Sequence, residues 1–130
     1  MLAAISLVGA GQSTEDFKSP IGVWDLKGAD DAGIGWIATI VVRREDNRFV
    51  GHIDWLGSDG TAGREYITWR YENATRVLRL EGARLKHGPD LALGSYMAKL
   101  APDGMKLSGS WTSDDDSVIP GDWTASRILL

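Results

Sequence analysis

The chain has 130 residues, of which 43% are hydrophobic, and its formal net charge is −4. This length supports a single domain with its own core, and the absence of cysteine excludes a disulfide framework, a thiolate metal site and a cysteine nucleophile. Lys and Arg are scattered among acidic residues and form no basic stripe, so no nucleic acid partner is expected.

Residues 1–20 are expected to lead into the folded domain rather than to belong to its core. The first ten, MLAAISLVGA, are apolar and end in small residues, as in the second half of a secretory signal; a short helix or strand packed on the domain is the alternative. A truncated signal would make the protein periplasmic or secreted, and otherwise it would be cytoplasmic. No apolar run approaches the roughly 20 residues that cross a bilayer, so no membrane span is expected.

Residues 21–130 are predicted to form one all-β domain. Segments rich in Val, Ile, Thr, Trp and Tyr alternate with turn signals, and no segment shows sustained helical periodicity. The connections are too short for parallel crossovers, so eight strands should pair antiparallel in sequence order, and closing them removes both edges. We therefore expect an eight-stranded antiparallel up-and-down β-barrel. Its seven turns are predicted at Gly28–Gly35, Glu45–Arg48, Gly57–Gly63, Glu72–Thr75, Lys86–Asp90, Ala101–Gly104 and Ser113–Gly121.

Closure of the barrel pairs the first strand with the last. Residues Gly22–Lys27 should lie beside Asp122–Leu129, which brings Arg127 close to Trp24. A guanidinium over an indole face gains roughly 0.5–2 kcal/mol of cation–π energy. The alternative is that Arg127 points to solvent.

Gly22-Val23-Trp24 on the first strand and Arg127 on the last resemble the G-x-W motif and closing arginine of the lipocalins and the wider calycin group, which includes avidins and fatty-acid-binding proteins. The resemblance implies a cup that binds a small, partly apolar molecule, with these residues in a structural role. Asp25-Leu26-Lys27 follow Trp24 where avidins have an Asn-containing biotin loop, so biotin is not the expected ligand.

The loops of a meander barrel alternate between its two ends. The tight turns Glu45–Arg48, Glu72–Thr75 and Ala101–Gly104 share one end, whereas the remaining loops are mostly longer and share the other. Trp24 and Arg127 belong to the end with the tight turns. That end should be the closed floor of the barrel and the opposite end its mouth.

Strand alternation predicts which side chains point inward. On the second, third, seventh and eighth strands the more apolar faces are Trp36, Ala38, Ile40 and Val42; Phe49, Gly51, Ile53 and Trp55; Met105, Leu107, Gly109 and Trp111; and Trp123, Ala125 and Arg127. In each set of four or three, the tryptophan lies at the mouth end. Gly51 and Gly109 would leave space for a ligand beneath these tryptophans.

The clustered tryptophans have two interpretations. They either line an open pocket with partly exposed rings, or fill a barrel whose interior is just wide enough for side chains. The first interpretation is favoured because a core has no reason to collect its tryptophans at one end. The candidate ligand-binding residues are Trp36, Trp55, Trp111, Trp123, Glu65 and Tyr96.

The mouth is expected to be acidic. Its predicted loops and strand ends contain Asp30, Asp31, Asp59, Asp90, Asp114, Asp115, Asp116 and Asp122, against few bases such as Lys27, Arg64 and Lys86. This charge favours neutral or cationic ligands over anions, although charged loops also simply maintain solubility. The run of three aspartates lacks the Gly and Glu of a calcium loop, so neither a metal nor another cofactor is expected.

Three functions remain open, and the leading one is binding of a small apolar molecule. The second is a filled accessory barrel that docks to a partner or forms a homo-oligomer through an outer face of Val23, Ile37, Val41 and Val50. The third is a small cyclase or isomerase that uses Glu65 as an acid. We expect no enzyme, because His52 and Asp54 share an outward face and no nucleophile motif accompanies them.

Overall fold

The fold, taken from a computed structural model that describes residues 18–86, 91–112 and 119–129, is a closed barrel of eight antiparallel strands in sequence order. The strands are β1 Gly22–Asp30, β2 Gly35–Glu45, β3 Arg48–Gly57, β4 Ala62–Glu72, β5 Val77–Lys86, β6 Ser95–Leu100, β7 Lys106–Thr112 and β8 Gly121–Ile128. These ranges contain no helix that could span a membrane. The predicted signal remnant, Asp90 and Asp114–Asp116 lie outside the described residues.

The two ends of the barrel differ less in loop length than expected. Residues 46–47, 73–76 and 101–105 connect strands at the floor. At the mouth, residues 31–34 and 58–61 form connections as short as 73–76, and only 87–94 and 113–120 are long. The difference in loop length between mouth and floor therefore comes from two of the four connections at the mouth.

The floor has the predicted register, with Trp24 paired to Arg127. The guanidinium carbon of Arg127 lies 4.5 Å from the centroid of the indole of Trp24, and its three nitrogens donate to the carbonyl oxygens of Gly104, Ile21 and Ser19 at 2.7–2.9 Å. Arg127 is therefore buried rather than turned to solvent, and this burial lowers its pKa. Because its charge is delocalised and its pKa intrinsically very high, it stays a cation here.

Gly22 makes room for this arrangement. Its φ is +149°, and a Cβ at this position would lie 2.7 Å from Nη1 of Arg127. The indole Nε1 of Trp24 donates to the carbonyl of Pro20 at 2.9 Å. Trp24 and Arg127 therefore both bind, through hydrogen bonds, the short segment that leads into β1.

Below the mouth, the barrel interior is filled. The inward residues of all eight strands form one apolar cluster that includes Leu26, Ile40, Ile53, Ile67, Leu78, Leu80, Leu100 and Leu107, all of them almost completely buried. The alternation predicted for strands two, three, seven and eight holds through most of this cluster. Any cavity must therefore lie above it, at the mouth.

Phe49 keeps the predicted face of β3 but is not covered by the core. It is largely exposed at the floor end of β3, and its ring centroid lies 4.9 Å from that of Trp69. Trp69 occupies the interior there, and its Nε1 donates to the carbonyls of Arg43 and Val50. Phe49 therefore packs on the outer end of this indole at the floor.

Gly51 and Gly109 do not open space for a ligand, contrary to prediction. A Cβ on Gly51 would lie 2.0 Å from the carbonyl oxygen of Val41, and one on Gly109 would lie 1.8 Å from that of Met97. In each case the obstacle is the backbone of the neighbouring strand. These glycines permit close approach and curvature of strands in a closed barrel.

The end of the first strand also differs from prediction. β1 continues to Asp30 instead of ending at Lys27, because Gly28 still pairs with Trp36 on one side and Trp123 on the other. A Cβ on Gly28 would lie 2.8 Å from the ring of Trp111, so the absence of a side chain lets the strand pass beneath this indole.

β5 is irregular near the mouth. Its register against β4 shifts between Tyr66 and Ile67, and its pairing with β6 ends at Glu81 and Ser95. Beyond that point, the amide of Gly82 donates to the carbonyl of Gly94 at 2.8 Å. Bulges of this kind often redirect side chains beside functional sites, and this one lies next to the buried carboxyl group of Glu65.

Candidate functional site

A cavity of about 220 Å³ opens at the mouth of the barrel, above the filled core. Of the six residues predicted to bind a ligand, four line it: Trp36, Trp55, Trp111 and Tyr96. Trp123 and Glu65 are not among its lining residues. The remaining walls come from Asp30, Ile34, Asp59, Thr61, Leu91, Ala92 and Ile119.

The aromatic walls meet at steep angles around Trp55. The ring centroid of Trp55 lies 5.7 Å from that of Trp36 and 5.8 Å from that of Trp111, with interplanar angles of 82° and 84°. The Tyr96 ring lies 5.8 Å from Trp55 and is tilted by only 32°. The cavity is therefore bounded by aromatic rings in two nearly perpendicular orientations.

The rings are less exposed than an open pocket predicts. Trp55 is 8% exposed and Trp111 is 4% exposed, whereas Trp36 is half-buried. Their edge-to-face packing covers most of their surface. Glycines complete the fit, since a Cβ on Gly121 would lie 2.7 Å from the ring of Trp111 and one on Gly57 would lie 3.0 Å from that of Trp36.

Trp123 belongs to the core beneath the cavity instead of to its wall. It is 2% exposed, and its Nε1 donates to the carbonyl of Ser110 at 3.0 Å. Its cross-strand partners are Gly28 on β1 and Gly109 on β7. Neither neighbour has a side chain, so the indole of Trp123 can lie over both strands, where the core covers it.

Glu65 lies behind two of the aromatic walls and is 1% exposed. Its Oε1 accepts hydrogen bonds from Nε1 of Trp55 at 2.9 Å and from the hydroxyl of Tyr96 at 2.5 Å, and its Oε2 accepts one from the amide of Gly94 at 3.0 Å. A Cβ on Gly82 would lie 2.1 Å from Oε2, so the bulged part of β5 must have glycine here. Both walls are thus fixed to one buried carboxyl group.

Burial is the main influence on the protonation of Glu65 and Tyr96. Burial raises the pKa of Glu65 above its usual value, and the three donated hydrogen bonds only partly oppose it. Burial also raises the pKa of Tyr96 well above 10, and the neighbouring carboxylate adds to this shift. Tyr96 therefore remains a phenol and a hydrogen-bond donor across the physiological pH range.

Two aspartates form the charged part of the rim. Oδ1 of Asp30 accepts from the amides of Ala32 and Ile34, and its Oδ2 accepts from Nε1 of Trp36 at 3.2 Å. Oδ1 of Asp59 accepts from the amide of Thr61 at 2.9 Å, which lowers the pKa of Asp59. Asp59 is therefore a carboxylate at neutral pH.

Sequence reasoning missed several lining residues that lie in loops. Ile34, Leu91 and Ile119 are apolar residues in otherwise polar connections at the mouth, and Thr61 and Ala92 complete this group. The sequence did contain a signal for them, namely one apolar residue in each of three polar loops at the same end of the barrel. An apolar side chain in a polar loop often packs on a site or an interface.

His52 and Asp54 lie on the outer face, as predicted. Arg64 donates two hydrogen bonds to the carboxylate of Asp54, at 2.7 and 2.9 Å, and lowers its pKa. Burial lowers the pKa of His52, whose Nε2 lies 3.8 Å from Asp54. Within residues 18–86, 91–112 and 119–129, no group of three or more His, Cys, Asp or Glu could hold a metal ion.

The outer face proposed for self-association is only partly exposed. Ile37 is 51% exposed, whereas Val23, Val41 and Val50 are half-buried. Docking or homo-oligomer formation through this face stays a prediction.

Several solved structures share the fold of this chain at low sequence identity. No family model and no curated protein matches the sequence. Among solved structures, EF1p2_mFAP2b bound to DFHBI has a TM-score of 0.66 at 11% identity, with 89% of this chain and 98% of that one covered. The redesigned β-barrel mFAP1 bound to DFHBI has a TM-score of 0.66 at 13% identity, covering 88% and 99%. A fluorescence-activating β-barrel designed de novo reaches 0.54 at 17% identity, covering 83% and 93%.

Proposed function

We propose that this barrel binds one small, partly apolar, neutral or cationic molecule in its mouth. The observation that carries the proposal is the cavity itself, in which three indoles and a phenol converge above a filled core. A concave, mostly aromatic surface with a few fixed polar groups is the usual form of a small-molecule site.

The size of the cavity limits the ligand. Its volume of about 220 Å³ lies below the roughly 300–1,000 Å³ typical of sites for drug-sized molecules. The ligand, or the part of it that enters, should therefore be of fragment size. The buried cluster below the cavity prevents a long chain, such as that of a fatty acid, from descending along the barrel axis.

Two of the barrels of similar fold are described with DFHBI bound, which supports a ligand-binding use of this architecture. The acidic rim sets the preferred charge. Asp30 and Asp59 repel anions at the entrance and attract cations through the local potential.

Glu65 fits a positioning role better than the role of a catalytic acid. Both of its oxygens accept hydrogen bonds from protein groups, and it is not among the residues lining the cavity. A general acid needs to reach the substrate within hydrogen-bonding distance. A cyclase or isomerase with Glu65 as its acid is therefore the weaker proposal, and we favour a binding protein without enzymatic activity.

The experiment is a titration followed by intrinsic tryptophan fluorescence, with cyclohexanol, benzyl alcohol, 3,3-dimethyl-1-butanol and choline as probes. Binding should shift the emission and saturate at one ligand per chain. The variant Ala92→Phe places a larger side chain in the cavity wall, whereas Ala62→Phe adds the same group to the outer surface near the mouth.

Ala92→Phe should abolish the response and Ala62→Phe should preserve it. If none of the four probes shifts the emission, or if both variants bind as the wild type does, the mouth is not a binding site.

A further inference from the structure

The angles between the aromatic walls select the shape of the bound group. Trp36 and Trp111 are both nearly perpendicular to Trp55, while Tyr96 is closer to parallel with it. A flat ligand could stack on only one of these orientations. A rounded group can contact rings in both orientations at once.

The polar edges of these rings are already engaged by the protein. Trp55 and Tyr96 donate to Glu65, Trp36 donates to Asp30, and Nε1 of Trp111 donates to the carbonyl of Ile119 at 2.9 Å. The rings therefore have no ring N–H or phenol O–H left to offer a ligand acceptor. What remains for a ligand is the carbon surface of these rings, whose faces are electron-rich, and donation to a carboxylate polarises a ring further in that direction.

The charged residues that line the cavity are all acidic. Asp30 and Asp59 are its charged lining residues, and Thr61 is the remaining polar side chain. No Lys, Arg or His is present among those lining residues, so an anionic group would find no charged partner in them. Aromatic faces together with carboxylates are the two elements with which proteins bind organic cations.

From the ring angles, the engaged ring donors and the acidic rim, we infer that the mouth is an aromatic cage for an alkylated ammonium group, such as a trimethylammonium head. The inference rests on the proposed function and specifies its ligand class. The cation lies against Trp36, Trp55, Trp111 and Tyr96, with the rim carboxylates at the entrance. An ammonium with free N–H groups would lose hydrogen bonds to water wherever it touches the rings, whereas N-methyl groups pack against them without that loss, so the alkylated form is preferred.

The decisive comparison uses two probes of nearly the same shape. Choline and 3,3-dimethyl-1-butanol differ in that a quaternary nitrogen replaces a quaternary carbon, so their affinities differ mainly through charge. We expect choline to bind about tenfold more tightly at matched ionic strength, measured by tryptophan fluorescence or calorimetry. An equal or weaker affinity for choline overturns the cage.

A pair of variants tests the rim. Asp59→Asn removes a carboxylate from the cavity lining, whereas Asp122→Asn removes one that points outward at the same end of the barrel. Asp59→Asn should weaken choline binding about threefold and leave dimethylbutanol binding unchanged. Asp122→Asn should affect neither probe by as much, and equal losses of choline binding in both variants would contradict a local role for Asp59.

These measurements distinguish failure of the aromatic cage from failure of the proposed ligand binding at the mouth. If cyclohexanol or dimethylbutanol binds at the mouth and choline does not, the cage is wrong and the pocket remains. If neither choline nor any neutral probe binds, both proposals fail together.

Discussion

The indole Nε1 of Trp55 donates a hydrogen bond of 2.9 Å to Oε1 of Glu65. This contact joins a wall of the cavity on β3 to a buried carboxyl group on β4, and Tyr96 on β6 donates to the same oxygen. Three strands thus fix two aromatic rings before any ligand arrives. Because such rings lose little rotamer freedom on binding, the site is preorganised.

Glu65 should make stability depend on pH in a specific direction. Its folded pKa is raised above the ordinary value of 4.5, so the folded protein holds this proton more strongly than the unfolded chain does. The resulting stabilisation is fully present below the unfolded pKa and is lost as pH rises through the folded pKa. Glu65→Gln has no such proton to lose.

The measurement is the free energy of unfolding in urea between pH 4 and 8. The wild type should exceed Glu65→Gln by the largest margin at acid pH, and the margin should shrink as pH rises. Glu81→Gln, an exposed carboxyl on the neighbouring strand, controls for the loss of one acid. A margin that is constant or grows with pH would be inconsistent with burial as the main cause.

The tryptophans of the cavity should differ in what they contribute to stability. Trp111 is 4% exposed and fits against Gly28 and Gly121, so Trp111→Ala should cost about 3–5 kcal/mol of unfolding free energy. Trp36 is half-buried and its replacement by alanine should cost about 1–2 kcal/mol. Chemical denaturation of both variants tests this order, which a cost for Trp36→Ala equal to that of Trp111→Ala would contradict.

Arg127 should stabilise the floor without affecting the ligand. Arg127→Ala removes a cation–π contact and leaves three carbonyl oxygens without their guanidinium donor, so we expect a loss of about 2–4 kcal/mol. Arg70→Ala, at an exposed position of β4, should stay within about 0.5 kcal/mol of the wild type. At temperatures where Arg127→Ala is still folded, its ligand affinity should match that of the wild type. A large loss of affinity would contradict the view that the floor stabilises the barrel without contributing to ligand binding at the mouth.

Gly22 should resist substitution. Alanine would be strained at its φ of +149° and would place Cβ 2.7 Å from Nη1 of Arg127, so Gly22→Ala should cost about 1–3 kcal/mol. Gly35 is the matched control, because its φ is ordinary and a Cβ added there would lie 3.9 Å from its nearest neighbour, the hydroxyl of Ser58. In thermal unfolding, Gly22→Ala should melt at a lower temperature than Gly35→Ala. Equal melting temperatures would contradict the predicted strain at Gly22.

The strand plan was predictable because turn residues and alternation act locally. The pairing of Trp24 with Arg127 followed from closure alone, since an antiparallel closed meander fixes which ends of β1 and β8 meet. The inward faces also followed from alternation, although Phe49 stays largely exposed at the floor beside Trp69 and Met105 lies in the connection before β7.

The site was predictable only in part because its details depend on contacts between strands distant in sequence. Trp123 does not line the cavity and has glycines as both of its cross-strand neighbours, which only the register reveals and not the strand pattern. The hydrogen bonds of Glu65 depend on the bulge that brings Gly82 and Gly94 together. Alternation carries no information about such an irregularity.

The most direct test of ligand binding at the mouth follows the indole N–H signals of the six tryptophans by ¹H–¹⁵N NMR during titration with choline and with 3,3-dimethyl-1-butanol. We predict that the signals of Trp36, Trp55 and Trp111 shift and saturate together, while those of Trp24 and Trp69 at the floor do not move. If no indole signal shifts at saturating probe, or if the floor signals move as far as those of the mouth, the mouth is not the binding site.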